Sequence, residues 1–389
     1  MTPSADIRNY HSTQKFLALD AIRGIAAVVV LMYHYWLFFC FNTSFAPPFH
    51  EIVYKINRYG FFAVDLFFIL SGFIFCSIYG EKVASQKVSL KEFSLLRFSR
   101  LYPLHWLTLL IVLVMQLFRS SHALSDYPVG YSHSLFSFLL NIPLVQNGWV
   151  TTAYSFNGPA WSISVEIMMY LLFFAVFLCG RDKKTIFFLC TFFACMGSIM
   201  FFYNWQNGLH FIKLQAARGL TGFFLGCVMA MVSGYFDKNK KYELAFTIFL
   251  ALFAIAMMVL QNNLRNTQND PLMDRYPMYV YAVFPALIYL SVKVKVLSQI
   301  LSIRPLLHLG SMSYSIYLLH LPVIILIKTV DELMGLNLDY SSRLLYLAFI
   351  AFVVILSYFT FNYFEKPMQS YIRGKFKIGK QKGQDRAHA

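Results

Sequence analysis

Ten long apolar stretches dominate this chain and constrain its fold more than any other feature. A helix needs about 20 mainly apolar residues to cross a hydrocarbon core of about 30 Å. The stretches cover roughly residues 17–39, 61–79, 101–118, 160–179, 185–203, 215–233, 243–260, 277–292, 311–329 and 343–363. A shorter apolar segment at 134–145 is expected to lie at the interface or re-enter. The sequence therefore predicts an all-α, polytopic integral membrane protein with about ten transmembrane helices.

The scarcity of charge supports the same fold class. Charged residues make up 13% of the 389 residues, against about 25% in soluble globular domains. The six cysteines lie in or beside apolar segments and form no C-x-x-C pair. These properties exclude an ordinary soluble enzyme, a disordered chain and a disulfide-stapled secreted domain. No metal site is expected.

The net charge of +15 is best explained by membrane topology. If the N-terminus is cytoplasmic, the inner segments carry 23 lysines and arginines and the outer segments carry 7. This asymmetry follows the positive-inside rule and predicts that both termini are cytoplasmic. The basic residues are not interleaved with aromatics on a water-facing stripe, so we expect no nucleic-acid partner.

Three regions follow from this topology. Residues 1–16 are predicted to be a cytoplasmic N-terminal segment without a cleavable signal peptide, and 17–368 to be the transmembrane domain. Residues 369–389 are predicted to be a basic, disordered cytoplasmic tail near anionic headgroups. An outer segment, about 119–159, is the longest connection and is either a connector or a surface that meets a polar acceptor.

Ionisable residues inside the predicted spans mark a candidate site, because burying them in a membrane is costly. Arg23 and His34 are eleven residues apart on the first span, which places them on one helical face about 16 Å apart. Asp65 and Glu166 lie in the outer parts of the second and fourth spans. We expect Asp65 or Glu166 to orient His34 as a general base. A purely structural His–Asp pair is the alternative.

Two further clusters carry polar chemistry. Arg97 and Arg100 are three residues apart before the third span and form a fork suited to phosphate oxygens, unless they serve only as positive-inside anchors. Glu365 at the end of the last span could pair with one of them. Ser313, Tyr317 and His320 place three hydrogen-bonding groups on one face of the ninth span. These groups either belong to the candidate site or serve only interhelical hydrogen bonding.

Taken in order, these segments resemble the bacterial membrane acyltransferase-3 family over about residues 15–368. The matching elements are the R-x10-H of Arg23 and His34, FFAVDLFFILSGF around Asp65, R-x-x-R at Arg97 and Arg100 followed by Leu-Tyr-Pro, WSISVE from Trp161 to Glu166, SYSIYLLHLP from Ser313 to Pro322, and the terminal EKP of Glu365 to Pro367. Each element is weak alone, but their order on successive spans is specific.

The resemblance implies an O-acyltransferase that moves an acyl group, usually acetyl from acetyl-CoA, to a hydroxyl of an extracytoplasmic glycan. Such acceptors include O-antigen, lipopolysaccharide and exopolysaccharide, and the location implied is the bacterial inner membrane. Many family members carry a fused outer esterase domain. This sequence has only the basic tail after Pro367, so it is expected to act alone or with separate glycan-assembly proteins.

The resemblance also implies roles for individual residues. His34, Asp65 and Glu166 are expected to be catalytic, whereas Arg23, Arg97, Arg100 and Tyr102 are expected to bind acetyl-CoA. Substrate contact or structural support is expected from Trp161, Ser162, Tyr314, Tyr317, His320 and Glu365. Whether His34 carries the acyl group or assists direct transfer stays open. The competing classes are a secondary transporter, for which no inverted repeat is visible, and a non-catalytic component of a glycan export or assembly complex.

Overall fold

The computed structural model describes residues 4–41, 43–207, 213–263 and 275–376. Sixteen α-helices are named here in chain order: α1 Ser4–Tyr35, α2 His50–Tyr59, α3 Ala63–Phe75, α4 Glu81–Ala84, α5 Leu90–Ser121, α6 Leu135–Asn141, α7 Trp161–Cys179, α8 Lys183–Asn207, α9 Leu214–Lys238, α10 Lys240–Asn263, α11 Phe284–Lys293, α12 Lys295–Leu301, α13 Arg304–Ser311, α14 Ser313–Met334, α15 Arg343–Thr360 and α16 Lys366–Lys375.

The all-α polytopic fold is confirmed. Nine helices in the described ranges are long and apolar enough to cross a membrane, and a tenth is reached if Arg275–Lys293 and Lys295–Leu301 count as one span. That pair bends by 97°, so the predicted eighth span, 277–292, is shorter than the others. The segment predicted not to cross forms only the short helix α6.

Several spans are longer than their apolar stretches because flanking helical turns extend them. The second runs from His50 to Ala84 and the third from Leu90 to Ser121. Ser89 caps the third, its hydroxyl accepting from the Glu92 amide at 3.2 Å. Arg97 and Arg100 therefore lie inside the same continuous helix as the third span.

A central group of helices, α1, α3, α5, α7, α9 and α14, encloses the polar residues. Helix α14 is the most buried span, whereas α10 and α15 are mostly exposed and suited to contact lipid. Helices α3 and α9 approach closely because small residues meet there. A Cβ on Gly72 would overlap the Phe223 carbonyl, and one on Gly226 would overlap the Ile69 carbonyl.

Four π-helical segments interrupt or extend the described spans, at Trp36–Cys40, Cys76–Gly80, Met278–Val283 and Phe361–Glu365. Such segments shift the helical register and are frequent at functional sites. The first follows His34 almost directly, and the last ends at buried Glu365. The prediction that residues 369–389 are disordered is wrong for their first part, because α16 continues to Lys375 and Arg373 Nε donates to Ser99 Oγ at 3.2 Å. Residues 377–389 of that tail lie outside the described residues.

Candidate active site

A cationic cavity of about 120 Å³ lies between α1, α3, α5, α7 and α14. Its polar wall is formed by Arg23, Arg97, Arg100, Ser71, Glu166 and Tyr170. We call this space the arginine cavity. It brings together residues that the sequence predicted for both acetyl-CoA binding and catalysis. With three guanidinium groups and one carboxylate, the wall is suited to an anionic ligand.

The three arginines are held in different ways. Arg23 Nη1 forms an ion pair with Asp20 at 2.9 Å. Arg97 Nη2 donates to the Tyr79 hydroxyl at 2.9 Å, and its guanidinium carbon lies 4.7 Å from the centroid of the Phe75 ring. Arg97 Nε is buried without a partner, and Arg100 donates no hydrogen bond to any described residue. Donor capacity is thus left free at the cavity wall.

Glu166 faces the arginine cavity and not His34. Its Oε1 accepts from Ser71 Oγ and from the Tyr170 hydroxyl, both at 2.5 Å. Tyr170 lies one helical turn further along α7, and Ser71 belongs to α3. The expectation that Glu166 orients the histidine is therefore wrong. The carboxylate instead offsets part of the positive charge of the cavity.

His34 lies beyond the cavity, on the same helix as Arg23. Its Nδ1 is 2.9 Å from the Val30 carbonyl; because a carbonyl only accepts, Nδ1 must carry the hydrogen. The lone pair of the neutral ring is then on Nε2, the atom needed for a base or nucleophile. The His34 ring stacks on Phe38 with centroids 5.7 Å apart and lies 4.7 Å from the His320 ring.

Asp65 has a partner that the sequence reasoning missed. Arg218 binds both of its oxygens, with Nε 3.0 Å from Oδ1 and Nη2 2.7 Å from Oδ2. The same guanidinium donates to the Phe61 carbonyl and lies 5.1 Å from the Trp161 ring. The expected His34–Asp65 hydrogen bond is therefore wrong, and Trp161 supports this ion pair. Arg218 is one of the seven outer cations in the sequence count, but it lies four residues inside α9, which marks it as a cation within a span without naming its partner.

Tyr102 does not reach the arginine cavity. Its hydroxyl donates to the Pro143 carbonyl at 2.9 Å, and its ring stacks on Phe98. The expected contact of Tyr102 with acetyl-CoA therefore stays a prediction that this cavity does not support. The residue instead attaches the segment after α6 to α5.

Hydroxyl groups from α7 and α14 close the end of the cavity nearest the histidines. The Ser162 and Tyr317 hydroxyls are 2.7 Å apart, and Tyr317 also donates to the Pro159 carbonyl at 3.0 Å. The Tyr317 ring packs edge-on against His320, with centroids 5.9 Å apart. Tyr314 donates to the Leu101 carbonyl at 2.6 Å. Tyr317 thus stands between the arginine cavity and the histidine pair.

Glu365 is buried next to the arginine cavity. Its Oε2 accepts from Ser315 Oγ at 2.6 Å. Arg100 and Arg23 interact with it electrostatically, but no arginine in the described part of the chain pairs with it within 4.0 Å. The expected direct pair is replaced by a hydroxyl bond and longer-range attraction.

Residues 122–157, which we call the cover, lie over the end of the bundle above His34. The Tyr127 hydroxyl donates to the Phe38 carbonyl at 2.9 Å, and Asn157 Nδ2 donates to the Leu318 carbonyl at 2.9 Å. Burial raises the pKa of Tyr131 far above its ordinary value and lowers the pKa of His133, a shift that Asp126 partly opposes. The cover therefore presents mostly neutral hydrogen-bonding groups near the histidines.

The acyltransferase-3 family model, described as an acyltransferase domain, matches residues 16–362. The peptidoglycan O-acetyltransferase OatA of Listeria monocytogenes is 24% identical over 379 residues, which covers 90% of this chain and 55% of that protein. The putative peptidoglycan O-acetyltransferase YrhL of Bacillus subtilis is 25% identical over 356 residues, covering 83% and 51% respectively.

A third relative, the O-acetyltransferase OatA of Staphylococcus aureus, is 25% identical over 346 residues, which covers 83% of this chain and 53% of that protein. The chain thus spans about half the length of the curated relatives it matches. No solved structure matches it significantly. Because the family model covers nearly all of the spans and the cavity that they enclose, the chain belongs to the membrane acyltransferase-3 family.

Proposed function

We propose that the protein is a membrane O-acyltransferase that moves an acetyl group from cytoplasmic acetyl-CoA to a hydroxyl of an extracytoplasmic glycan. The observation that carries this proposal is the position of His34 Nε2, which accepts no hydrogen bond from the described residues and lies beyond a cavity rich in arginine. Membership of the acyltransferase-3 family and the names of the relatives support the same reaction class.

Acetyl-CoA would enter from the end of the bundle that carries Arg97 and Arg100. Their guanidinium groups suit its phosphates, because charge-assisted and bidentate hydrogen bonds are strong. Arg23 also lines the cavity and would hold the near part of the pantetheine arm. The remaining distance to His34, about 16 Å along α1, would be bridged by the extended arm of the ligand.

The acceptor would approach from the opposite end, where the 122–157 cover meets His34. Peptidoglycan is the first acceptor to test, because two relatives are named for it. O-antigen, lipopolysaccharide and exopolysaccharide are the other members of the acceptor class. Inner-membrane location and cytoplasmic termini belong to the same proposal, because the phosphate-binding end must face cytoplasmic acetyl-CoA.

The test is acetyl transfer by the purified full chain in proteoliposomes, with labelled acetyl-CoA and glycan fragments. We expect His34→Gln to abolish transfer while acetyl-CoA binding is retained. His122→Gln is the matched control, because His122 makes the same Nδ1 bond to the carbonyl four residues before it but is exposed at the end of α5. Full transfer by folded His34→Gln would refute the assignment. Solute uptake without acetylation would favour a transporter, and neither activity would favour a scaffold.

A further inference from the structure

His320 is a buried imidazole that the mechanism above does not use. It is 0% exposed, and its Nε2 has no hydrogen-bond partner in the described part of the chain. A buried polar atom that is left without a partner destabilises the folded protein. Such an atom needs an explanation, and an absent ligand is one of the few available.

His320 and His34 have the same local geometry on two different helices. His320 Nδ1 lies 3.3 Å from the Ile316 carbonyl, four residues before it on α14, as His34 Nδ1 lies 2.9 Å from Val30 on α1. Each carbonyl requires a hydrogen on Nδ1. Each neutral ring therefore has its lone pair on Nε2.

The two rings are in contact, with centroids 4.7 Å apart and planes inclined by 38°. Two neutral rings that both donate through Nδ1 cannot hydrogen-bond to each other, because neither Nε2 carries a hydrogen. A third group with a proton to donate would satisfy the buried Nε2 of His320. A hydroxyl has that property, and the proposed reaction has a hydroxyl as its acceptor.

We propose that the two imidazoles divide the reaction, with His34 carrying the acetyl group and His320 acting as general base on the acceptor hydroxyl. This inference rests on the proposed function. An imidazole whose Nε2 is bonded to an acyl carbon has no lone pair left to remove a proton. The buried second ring supplies that lone pair next to the acyl carbon.

The proposed reaction has two steps. His34 Nε2 attacks the thioester carbon, the C–S bond breaks, and CoA leaves as the thiolate, which leaves an acetyl-imidazolium on His34. The acceptor oxygen then attacks the acetyl carbon while His320 Nε2 takes its proton. The C–N bond breaks and returns the lone pair to His34. The proton on His320 passes through solvent to the CoA thiolate, so the net products are the acetyl ester and CoA.

The experiment separates the two half-reactions in the purified full chain. Enzyme at stoichiometric concentration is mixed with acetyl-CoA without acceptor, released CoA is quantified chromatographically, and acetylated His34 is sought by rapid quench and mass spectrometry. We expect the wild type to release about one equivalent of CoA. We expect His320→Gln to retain this release, but to lose transfer to the glycan by about 100-fold or more, the range of general-base catalysis.

Several results would overturn the inference. Absence of acetylated His34 and of acceptor-free CoA release in the wild type would show direct transfer, leaving the proposed function standing. Equal loss of both half-reactions in His320→Gln with unchanged acetyl-CoA binding would make His320 structural, and full transfer would make it dispensable. Should His320→Gln not fold, the wild-type trapping result still decides whether the acetyl group passes through His34. A wild type with no transfer at all would instead remove the proposed function.

Discussion

Asp65 on α3 and Arg218 on α9 form a two-point ion pair in the interior of the bundle. Asp65 is 0% exposed, Arg218 is 12% exposed, and their closest contact is 2.7 Å. The pair lies at the close-packed contact of these two helices, so it fixes how the wall that carries Ser71 meets the rest of the protein. This geometry suits a structural role in the scaffold of the site.

Breaking this pair should destabilise the protein strongly. Asp65→Asn leaves the Arg218 guanidinium buried without a counter-charge, which costs about 3–5 kcal/mol. We expect a large fall in the unfolding temperature in detergent. The double variant Asp65→Asn/Arg218→Gln should recover part of that loss, because no charge remains buried. Additive losses in this double-mutant cycle would contradict the coupling.

The positions of the membrane spans could be predicted from the sequence, whereas the side-chain contacts between the spans could not. Hydropathy placed the spans well, since each apolar stretch must be long enough to cross the membrane whatever its neighbours. The shared face of Arg23 and His34 also follows from helical period alone. The partner of Asp65 could not be predicted, because it depends on the rotation and order of helices α3 and α9. The sequence thus predicts relations between residues of one helix, but not contacts between side chains of different helices.

The arginine cavity should lose affinity for CoA when its cations are removed. Hydrogen bonds to charged groups contribute about 1.5–3 kcal/mol, so Arg97→Gln and Arg100→Gln should each weaken CoA binding by about 10- to 100-fold. Calorimetry on the detergent-solubilised protein would measure this. Lys91→Gln is the control, because Lys91 is an exposed cation on the same helix. Unchanged affinity in the double variant Arg97→Gln/Arg100→Gln would remove the cavity as the CoA site.

Glu166 should act on apo stability and ligand affinity in opposite directions. It is the carboxylate on a wall with three arginines, so Glu166→Gln leaves those cations with less compensation. We expect a lower unfolding temperature without ligand and a larger rise when CoA is added, because the anionic ligand then replaces the lost charge. Glu51→Gln, at an exposed site on α2, controls for a general charge effect. A smaller CoA-induced rise in Glu166→Gln would contradict this account.

Arg119 should hold the cover over His34 in place. It is 1% exposed and donates to the Ser125 carbonyl, Thr329 Oγ1 and Glu332 Oε2, the last at 2.6 Å. Its removal by Arg119→Ala should loosen the start of the 122–157 segment while the helices persist. Hydrogen exchange should accelerate in residues 122–131 and not in α14.

The control for this release is Arg58→Ala, which removes a half-buried cation whose hydrogen bond among the described residues is to the Tyr54 hydroxyl. It should leave exchange in residues 122–131 unchanged. Uniformly faster exchange in Arg119→Ala would mean global destabilisation and would contradict a local role for the arginine.

The end of the bundle that carries residues 81–89 should face the cytoplasm. The 23:7 division of cations assigns the 81–89 segment to the cytoplasm and the 122–157 cover to the outside. In a cysteine-free background, Thr152→Cys should react with a membrane-impermeant maleimide on intact cells. Lys87→Cys should react only after permeabilisation, since both positions are exposed on the protein but at opposite ends. The reverse pattern would place the arginine cavity on the wrong side for cytoplasmic acetyl-CoA, and the proposed direction of transfer would fail with it.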